Sequence, residues 1–256
     1  MSLDSRYHEI LRYRVEGLKK YGGRLVSDIY GPPSRLAFPR ITRADGGMES
    51  VRVGPFRVED DPPILRILKE QVRKISGTAN VVELGPGKGS MAGALQMQFG
   101  DKIGRYVGIE RDPSISGPYE RIATIDAAPE TIHLVVASEV VEHMTPGDFF
   151  SGFLEAALPR MSADARLVLG TPNAFAPSSI VGDFTHIQAY AWYDLYALLR
   201  LSFETVDVVR TRYVWSPSRL LTLPARIALT RCLELDWCEG LVCIASVPRT
   251  DRGQSG

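Results

Sequence analysis

The chain of 256 residues is 45% hydrophobic and 23% charged, a balance that is typical of a globular protein and excludes a disordered or low-complexity one. Its 30 Lys and Arg residues equal its 30 Asp and Glu residues in number, so no excess charge favours a nucleic-acid or membrane partner. No apolar run approaches the roughly 18 residues that a membrane-spanning helix needs, and the N-terminus lacks the apolar stretch of a secretory signal. We therefore expect a cytoplasmic protein that binds neither membranes nor nucleic acids.

The three cysteines, Cys232, Cys238 and Cys243, all lie near the C-terminus. An odd number of cysteines in a chain without a secretory signal predicts free thiols in a reducing compartment. Their spacings do not include the close cysteine pair of a zinc site, and no histidine lies near them. We expect structural cysteines.

Residues 1–76 show interrupted apolar patterns, and we expect them to form an N-terminal helical extension that caps the rest of the chain. The first predicted helix has one apolar face, formed by Tyr7, Ile10, Leu11 and Leu18. Apolar residues at 51–58, on both sides of Gly54-Pro55, predict a short extended segment or hairpin. A second helix is predicted from Pro62 to Gly77, with one face formed by Ile64, Leu68, Val72 and Ile75.

Residues 77–256 alternate short apolar runs with helical patterns, which predicts one Rossmann-like domain. Four continuous aliphatic runs predict strands that are buried on both faces, at 81–84, 106–109, 134–137 and 167–169. The other predicted elements are helices at 90–99, 147–161 and 190–201, strands at 205–209 and 241–247, and a helical insertion near 213–235. Such alternation implies right-handed crossovers. We expect an α/β fold with a doubly wound, mostly parallel sheet and an antiparallel C-terminal strand.

The most informative segment is 83–89 (Glu-Leu-Gly-Pro-Gly-Lys-Gly), which follows a predicted buried strand and precedes a predicted helix. A ligand of such a sheet lies against this loop, and glycines let it approach the backbone. A dinucleotide fingerprint needs its third glycine where Ser90 stands, and a Walker loop needs Ser or Thr directly after Lys88. The carboxylate of Glu83 favours a cationic or amino-bearing ligand over a pyrophosphate.

Glu110 comes directly after the next predicted strand. An acid at the end of the second strand accepts hydrogen bonds from both ribose hydroxyls of adenosine cofactors on this architecture. The glycine turn and the two carboxylates, Glu83 and Glu110, therefore predict an adenosine ligand whose tail is positively charged and carries no phosphate. S-adenosylmethionine fits, because it has a ribose, an ammonium group and a sulfonium.

Segments 83–89, 108–110 and 134–143 together resemble the motifs of class I S-adenosylmethionine-dependent methyltransferases, in the same order along the chain. The resemblance extends over residues 79–210. It implies that the three loop glycines face the methionine part of the cofactor and that Glu110 holds its ribose. The cofactor-binding residues that the resemblance implies are Glu83, Gly85, Pro86, Gly87, Gly89, Glu110, Arg111, Asp126, Ala127 and Ser138.

The sequence departs from this family after Glu110. Members usually have a long helix here, followed by a third strand that ends in an acid near the adenine. In this chain only residues 112–128 are available, and Pro113, Gly117 and Pro118 break any long helix. Asp126 and Ala127 are the candidates for the adenine position.

A Glu-x-x-Glu-His pattern, formed by Glu139, Glu142 and His143, follows the predicted strand at 134–137. If this segment is helical, the spacing places all three side chains on one side, where they suit Mg²⁺ or Mn²⁺. The pattern resembles that of ubiquinone-biosynthesis O-methyltransferases and of bacterial small-RNA 3′-end methyltransferases, which implies a metal that grips substrate hydroxyls and makes His186 the fourth ligand. Many relatives have the Glu-His pair without a metal, and their histidine contacts the substrate or acts as base.

These observations predict an S-adenosylmethionine-dependent O-methyltransferase with Glu142, His143 and His186 as catalytic residues. The leading acceptor is a small polyhydroxylated molecule, such as a sugar or glycan, because a metal clamp suits neighbouring oxygens. The alternatives are a metal-independent natural-product or quinone-type enzyme, an RNA 3′-end methyltransferase, which the balanced charge disfavours, and a non-catalytic regulatory protein that binds S-adenosylmethionine. The segment after Tyr213 is expected to shape the acceptor site or to form a homodimer contact.

Overall fold

The computed structural model describes residues 3–21, 52–53, 56–57, 63–176, 185–211 and 240–249. The elements before the main sheet are helix α1 (Tyr7–Lys20), the hairpin strands β1 (Arg52–Val53) and β2 (Phe56–Arg57), and helix α2 (Pro63–Lys74). The main sheet contains β3 (Ala79–Leu84), β4 (Ile103–Ile109), β5 (Glu120–Ile122), β6 (Ile132–Ser138), β7 (Met161–Pro172), β8 (Phe203–Thr211) and β9 (Gly240–Pro248). All four predicted buried strands and both predicted later strands are therefore confirmed.

The seven strands lie in the order β5-β4-β3-β6-β7-β9-β8. Neighbours from β5 to β7 are parallel, whereas β9 runs antiparallel between β7 and β8. The chain builds outward from β3 to β5 and then returns to β6 on the other side of β3. This reversal opens a crevice at the carboxyl ends of β3 and β6, which is where ligands bind in doubly wound sheets. The predicted fold class is confirmed.

Helices cover both faces of the sheet, because successive strand residues point to opposite faces and are apolar on both. One core cluster contains Val81, Leu134 and Val136 and packs against α2 and α3 (Ser90–Phe99). The other contains Val82, Val135 and Leu167. It packs against a helical segment and α5 (Trp192–Arg200). The helical segment consists of a π-helix (Gly147–Leu154), α4 (Glu155–Ala157) and a 3-10 turn (Leu158–Arg160).

Helix α1 packs against α5 and so belongs to the outer layer of the second face. Gly17 lies directly against the ring of Tyr196, since a Cβ on Gly17 would come within 2.7 Å of a ring carbon. Glu16 accepts hydrogen bonds from the Tyr196 hydroxyl at 2.8 Å and from Arg200 at 3.1 Å. Trp192 and Tyr196 are both buried, as the packing interpretation of this aromatic helix predicts.

The chain between β4 and β6 contains a short strand that the sequence did not predict. Residues 120–122 form β5, which pairs in parallel with β4 at the edge of the sheet. No helix occurs in the described residues 110–119, as the prolines and glycine there predict. The boundary at residue 76 stays a prediction, and the predicted insertion near 213–235 lies outside the described residues.

Cys243 is buried with a free thiol, as expected, while Cys232 and Cys238 lie outside the described part of the chain. No helix within that part is both long enough and apolar enough to span a membrane.

Candidate cofactor and acceptor site

The glycine loop after β3 has a backbone that only glycine adopts readily. Gly85, Gly87 and Gly89 have φ angles of +62°, +53° and +73°, in the left-handed region that costs other residues roughly 1–2 kcal/mol. The loop continues the sheet, because the Gly85 N–H donates to the carbonyl of Ile109 at 2.9 Å. The left-handed Gly89 then begins α3 at Ser90. The sequence pattern thus identified the position of the turn correctly.

The three glycines are required for different steric reasons. A Cβ on Gly85 would lie 2.4 Å from a methyl carbon of Val140, and a Cβ on Gly89 would lie 2.6 Å from the ring of Pro118. A Cβ on Gly87 would meet no protein atom within 4 Å. Two of the glycines are therefore required by the protein's own packing. Only at Gly87 does the backbone face open space that is suited to a ligand.

Glu110 ties the second strand to the glycine loop. Its carboxylate accepts one hydrogen bond from the Gly87 N–H and one from the Asp112 N–H, both at 3.0 Å. A carboxylate offers about four lone-pair positions, so both oxygens keep capacity for further donors. Glu110 is thus held in place before any ligand binds.

Glu83 lies beneath the loop, in the face that carries α2 and α3. It is only 2% exposed, and it accepts a hydrogen bond of 2.7 Å from the hydroxyl of Tyr106. Burial raises the pKa of the Glu83 carboxyl to about 7, although the bond from Tyr106 acts in the opposite direction. A cation placed beside Glu83 would favour its ionised form.

The remaining predicted cofactor residues surround this loop at the same edge of the sheet. Pro86 is buried against Gly108, whose Cβ would lie 2.6 Å from the proline ring. Arg111 is exposed directly after Glu110. Ser138 ends β6 and pairs with Gly170 of β7. Pro86, Arg111 and Ser138 thus lie around the crevice at the ends of three adjacent strands, β3, β4 and β6.

Asp126 and Ala127 lie in an exposed 3-10 turn that follows β5. Arg160 fixes this turn by donating to the carbonyl of Asp126 at 3.1 Å and to that of Ala128 at 3.0 Å. The turn stands beyond the strand that neighbours Glu110, which is compatible with the predicted adenine position.

Tyr119 supports the glycine loop, and the sequence did not predict this role. Its hydroxyl donates to the carbonyl of Gly87 at 2.8 Å, and its ring packs against Gly89 and Gly108. The segment that replaces the expected helix therefore braces the glycine loop. No local pattern marks this role, because the contact joins residues 32 positions apart.

Glu142, His143 and His186 come together at the ends of β6 and β7, as predicted. One ligand atom from each residue lies within 4.8 Å of the others. Glu142 is 2% exposed, and burial raises the pKa of its carboxyl, while neither histidine is buried. The Glu142 Oε2 atom accepts a hydrogen bond from Thr171 at 3.0 Å, whereas the buried Oε1 has no partner among the described residues.

Two backbone contacts fasten the segment that carries His186 to the Glu-His pair. The Glu142 carbonyl accepts hydrogen bonds from the N–H groups of Ile187 at 2.9 Å and Gln188 at 3.0 Å. The Nδ1 atom of His143 lies 3.1 Å from the carbonyl oxygen of Thr185. The Thr185 hydroxyl, which can donate or accept, also lies 3.1 Å from Nδ1. Because a carbonyl only accepts, a proton on Nδ1 satisfies both contacts and leaves the lone pair on Nε2.

Glu139 does not belong to the Glu142, His143 and His186 group in the described part of the chain. It is exposed and has a φ of +54°, while only residues 141–143 form a helical turn. The spacing argument assumed a helix through all five positions, and the left-handed backbone at Glu139 interrupts it. A strained non-glycine residue at a sheet edge is characteristic of functional sites.

Comparison with known proteins supports the architecture. No protein-family model and no curated protein matches the chain. It is similar to an S-adenosylmethionine-dependent methyltransferase from Archaeoglobus fulgidus, with 18% identity and a TM-score of 0.52 over 72% of this chain and 94% of that one. It is also similar to the plantazolicin methyltransferase BpumL in complex with a pentazolic desmethyl analogue and S-adenosylhomocysteine, with 14% identity and a TM-score of 0.50 over 73% and 83%. These likenesses establish the fold, which is that of Rossmann-like methyltransferases.

Proposed function

We propose that this chain is an S-adenosylmethionine-dependent methyltransferase that methylates a hydroxyl group of a small polyhydroxylated acceptor. One observation carries the proposal. The glycine loop, whose Gly87 N–H donates a hydrogen bond to Glu110, lies at the carboxyl ends of β3 and β4. The Glu142, His143 and His186 group lies at the carboxyl end of the adjacent strand β6. Neighbouring strands are about 4.8 Å apart, so a methyl donor and an acceptor fit side by side at this edge.

The groups around the loop suit S-adenosylmethionine in charge and in shape. Glu110 is held with free lone pairs, which matches the two hydroxyl donors of a ribose. Gly87 leaves room at the loop for the methionine part. Glu83 offers a buried carboxyl that the cofactor's ammonium group would stabilise in its ionised form. When bound, S-adenosylmethionine supplies a methyl group that its sulfonium activates.

The same edge suits a divalent cation. The buried Oε1 atom of Glu142 has no partner among the described residues, and one nitrogen of each imidazole lies within 4.8 Å of a carboxylate oxygen of Glu142. Carboxylate and imidazole are the ligands that Mn²⁺ accepts, and Mg²⁺ prefers the oxygen ligands. When bound, the cation supplies positive charge that lowers the pKa of a hydroxyl and aligns adjacent oxygens. This is why a sugar or glycan with neighbouring hydroxyls is the proposed acceptor.

The residues perform three tasks in the transfer. Glu83 and Glu110 bind the donor at its two ends, and Glu142 and His186 orient the acceptor oxygen toward the methyl carbon. The new C–O bond forms as the C–S bond breaks, and the hydroxyl proton passes to the Nε2 atom of His143 or to solvent. In-line alignment is the main contribution that such a reaction needs from the protein.

A metal-independent enzyme is the second candidate, and the geometry of His143 favours it. The Nδ1 proton points to the Thr185 carbonyl, so the Nε2 lone pair is free to accept the acceptor's proton as general base. His143 is a catalytic residue in either case. The two candidates differ only in the response to chelation.

Two measurements test the proposal. Calorimetry is expected to detect binding of S-adenosylmethionine and S-adenosylhomocysteine by the wild-type protein, and at least tenfold weaker binding by Glu110→Ala. Glu120→Ala is the matched control, because Glu120 is an exposed acid on the adjacent strand that pairs with Arg105. If neither compound binds while a nicotinamide dinucleotide does, the proposal is wrong.

An acceptor library is then screened for release of S-adenosylhomocysteine, with Mg²⁺ or Mn²⁺ and with chelator. Turnover of sugars or glycans that chelator abolishes supports the metal-assisted enzyme. Unchanged rates in chelator reject the cation but leave the methyltransferase. Binding of the cofactor without turnover of any acceptor class indicates the regulatory alternative.

A further inference from the structure

Thr171 lies on β7 beside the group of Glu142, His143 and His186, and its hydroxyl bonds to Glu142. The Thr171 hydroxyl donates to Glu142 Oε2 at 3.0 Å, and the two residues are 1% and 2% exposed. A carboxylate has two equivalent oxygens, so this bond determines which of them accepts a hydrogen bond from the protein. It leaves Oε1 as the oxygen available to a ligand.

We propose that Thr171 is a positioning residue that holds the Glu142 carboxylate in its ligand-binding orientation. Its hydroxyl fixes Oε2, and Oε1, which has no partner among the described residues, stays available to a ligand. The inference rests on the proposed function, since it assigns to Glu142 the task of binding a cation. Thr171 acts through Glu142 and not on the reacting atoms.

Thr171 matters for cation binding because a buried carboxylate that is not held in one orientation binds a cation less tightly. Without the Thr171 hydroxyl, Glu142 loses the only side-chain donor that the described residues provide. It is then free to turn about its terminal bond, whose rotation is broad. Loss of such an outer partner typically weakens metal affinity about 10–100-fold.

The test titrates the purified full-length protein with Mn²⁺ alone and monitors binding by electron paramagnetic resonance. Thr171→Val, which keeps the shape and removes the hydroxyl, is expected to bind Mn²⁺ about tenfold more weakly. Thr171→Ser is expected to restore affinity to within about threefold. Thr211→Val is the matched control, because Thr211 is equally buried on β8 and its hydroxyl has no partner among the described residues.

Thermal unfolding of each variant separates a folding defect from a binding defect. Wild-type Mn²⁺ affinity in Thr171→Val overturns the inference. A wild-type protein that binds no Mn²⁺ overturns it too, while loss of S-adenosylhomocysteine binding by the wild-type protein is the separate failure of the proposed function.

Discussion

The cofactor end of the site, at β3 and β4, is held largely by backbone groups of one continuous loop, whereas the acceptor end, at β6 and β7, is held by side chains from distant segments. The Gly85 N–H donates to the carbonyl of Ile109 in β4, and the Gly87 N–H donates to Glu110, which directly follows β4. His143, by contrast, depends on a contact to Thr185, 42 positions along the chain. The first end is thus sensitive to any added Cβ, and the second to the loss of single functional groups.

This difference separates affinity from chemistry. Changes at the acceptor end should alter turnover and leave the cofactor bound, because His143 is held by a contact to Thr185 and the glycine loop by contacts to β4 and Glu110. Changes at the cofactor end should alter stability or donor affinity first. Three predictions test this division, in order of decreasing expected effect.

The largest effect is expected from His143→Ala. Removal of the group that accepts or activates the acceptor's proton should lower turnover about 10²–10⁴-fold, while the Kd for S-adenosylhomocysteine changes less than about twofold. Steady-state kinetics and calorimetry measure the two quantities. His133→Ala is the control, because His133 lies near the start of β6, at the end of the strand away from His143, and its Nδ1 atom accepts a hydrogen bond from the Asn80 N–H. Near-normal turnover in His143→Ala would remove this residue from the mechanism.

The next effect concerns the buried acid at the cofactor end. The pKa of Glu83 is raised from 4.5 to about 7 in the folded protein, so the folded state resists its ionisation. Wild-type stability should fall relative to Glu83→Gln as the pH rises from 4.5 to 7, and the difference should level off above pH 7. The full difference is about 3 kcal/mol.

Urea unfolding of both proteins between pH 4.5 and pH 8 measures this difference. Glu120→Gln, at an exposed position, should show no comparable growth with pH. A difference between Glu83→Gln and wild type that is independent of pH would show that Glu83 ionises freely in the folded state.

The smallest effect compares two glycines of one loop. Gly85→Ala should lower the free energy of unfolding by about 2 kcal/mol, from left-handed strain of roughly 1–2 kcal/mol plus the collision with Val140. Gly87→Ala carries strain alone and should cost about 1 kcal/mol, yet it should weaken donor binding, because its Cβ projects into the open space. Thermal unfolding and calorimetry check both expectations.

Val140→Ala tests the steric explanation directly. Added to Gly85→Ala it removes the colliding methyl groups, so part of the lost stability should return. The same change added to Gly87→Ala should give no such recovery. Equal costs for the two single variants would mean that the loop adjusts freely.

Much of the cofactor end was predictable because its signals are local. The glycine-rich segment at 83–89 and the acid at 110 each come at the end of a buried strand. The carboxyl ends of parallel strands meet at one edge of the sheet. Glu142 and His143 were predictable for the same reason. The short β5 was not, since an exposed, charged pair of residues at the sheet edge, Glu120 and Arg121, carries no buried-strand pattern.

The sequence by itself therefore determined the succession of helices and strands along the chain except for β5, the turn at the glycine loop and the residue types that line the crevice, because periodicity and left-handed turns depend on neighbours in the chain. Tertiary structure alone decided that Tyr119 supports the loop, that Glu139 lies outside the group of Glu142, His143 and His186, and that Thr171 bonds to Glu142. These outcomes depend on contacts between residues that are distant in the chain, where burial and packing outweigh local spacing. No pattern of neighbouring residues encodes them.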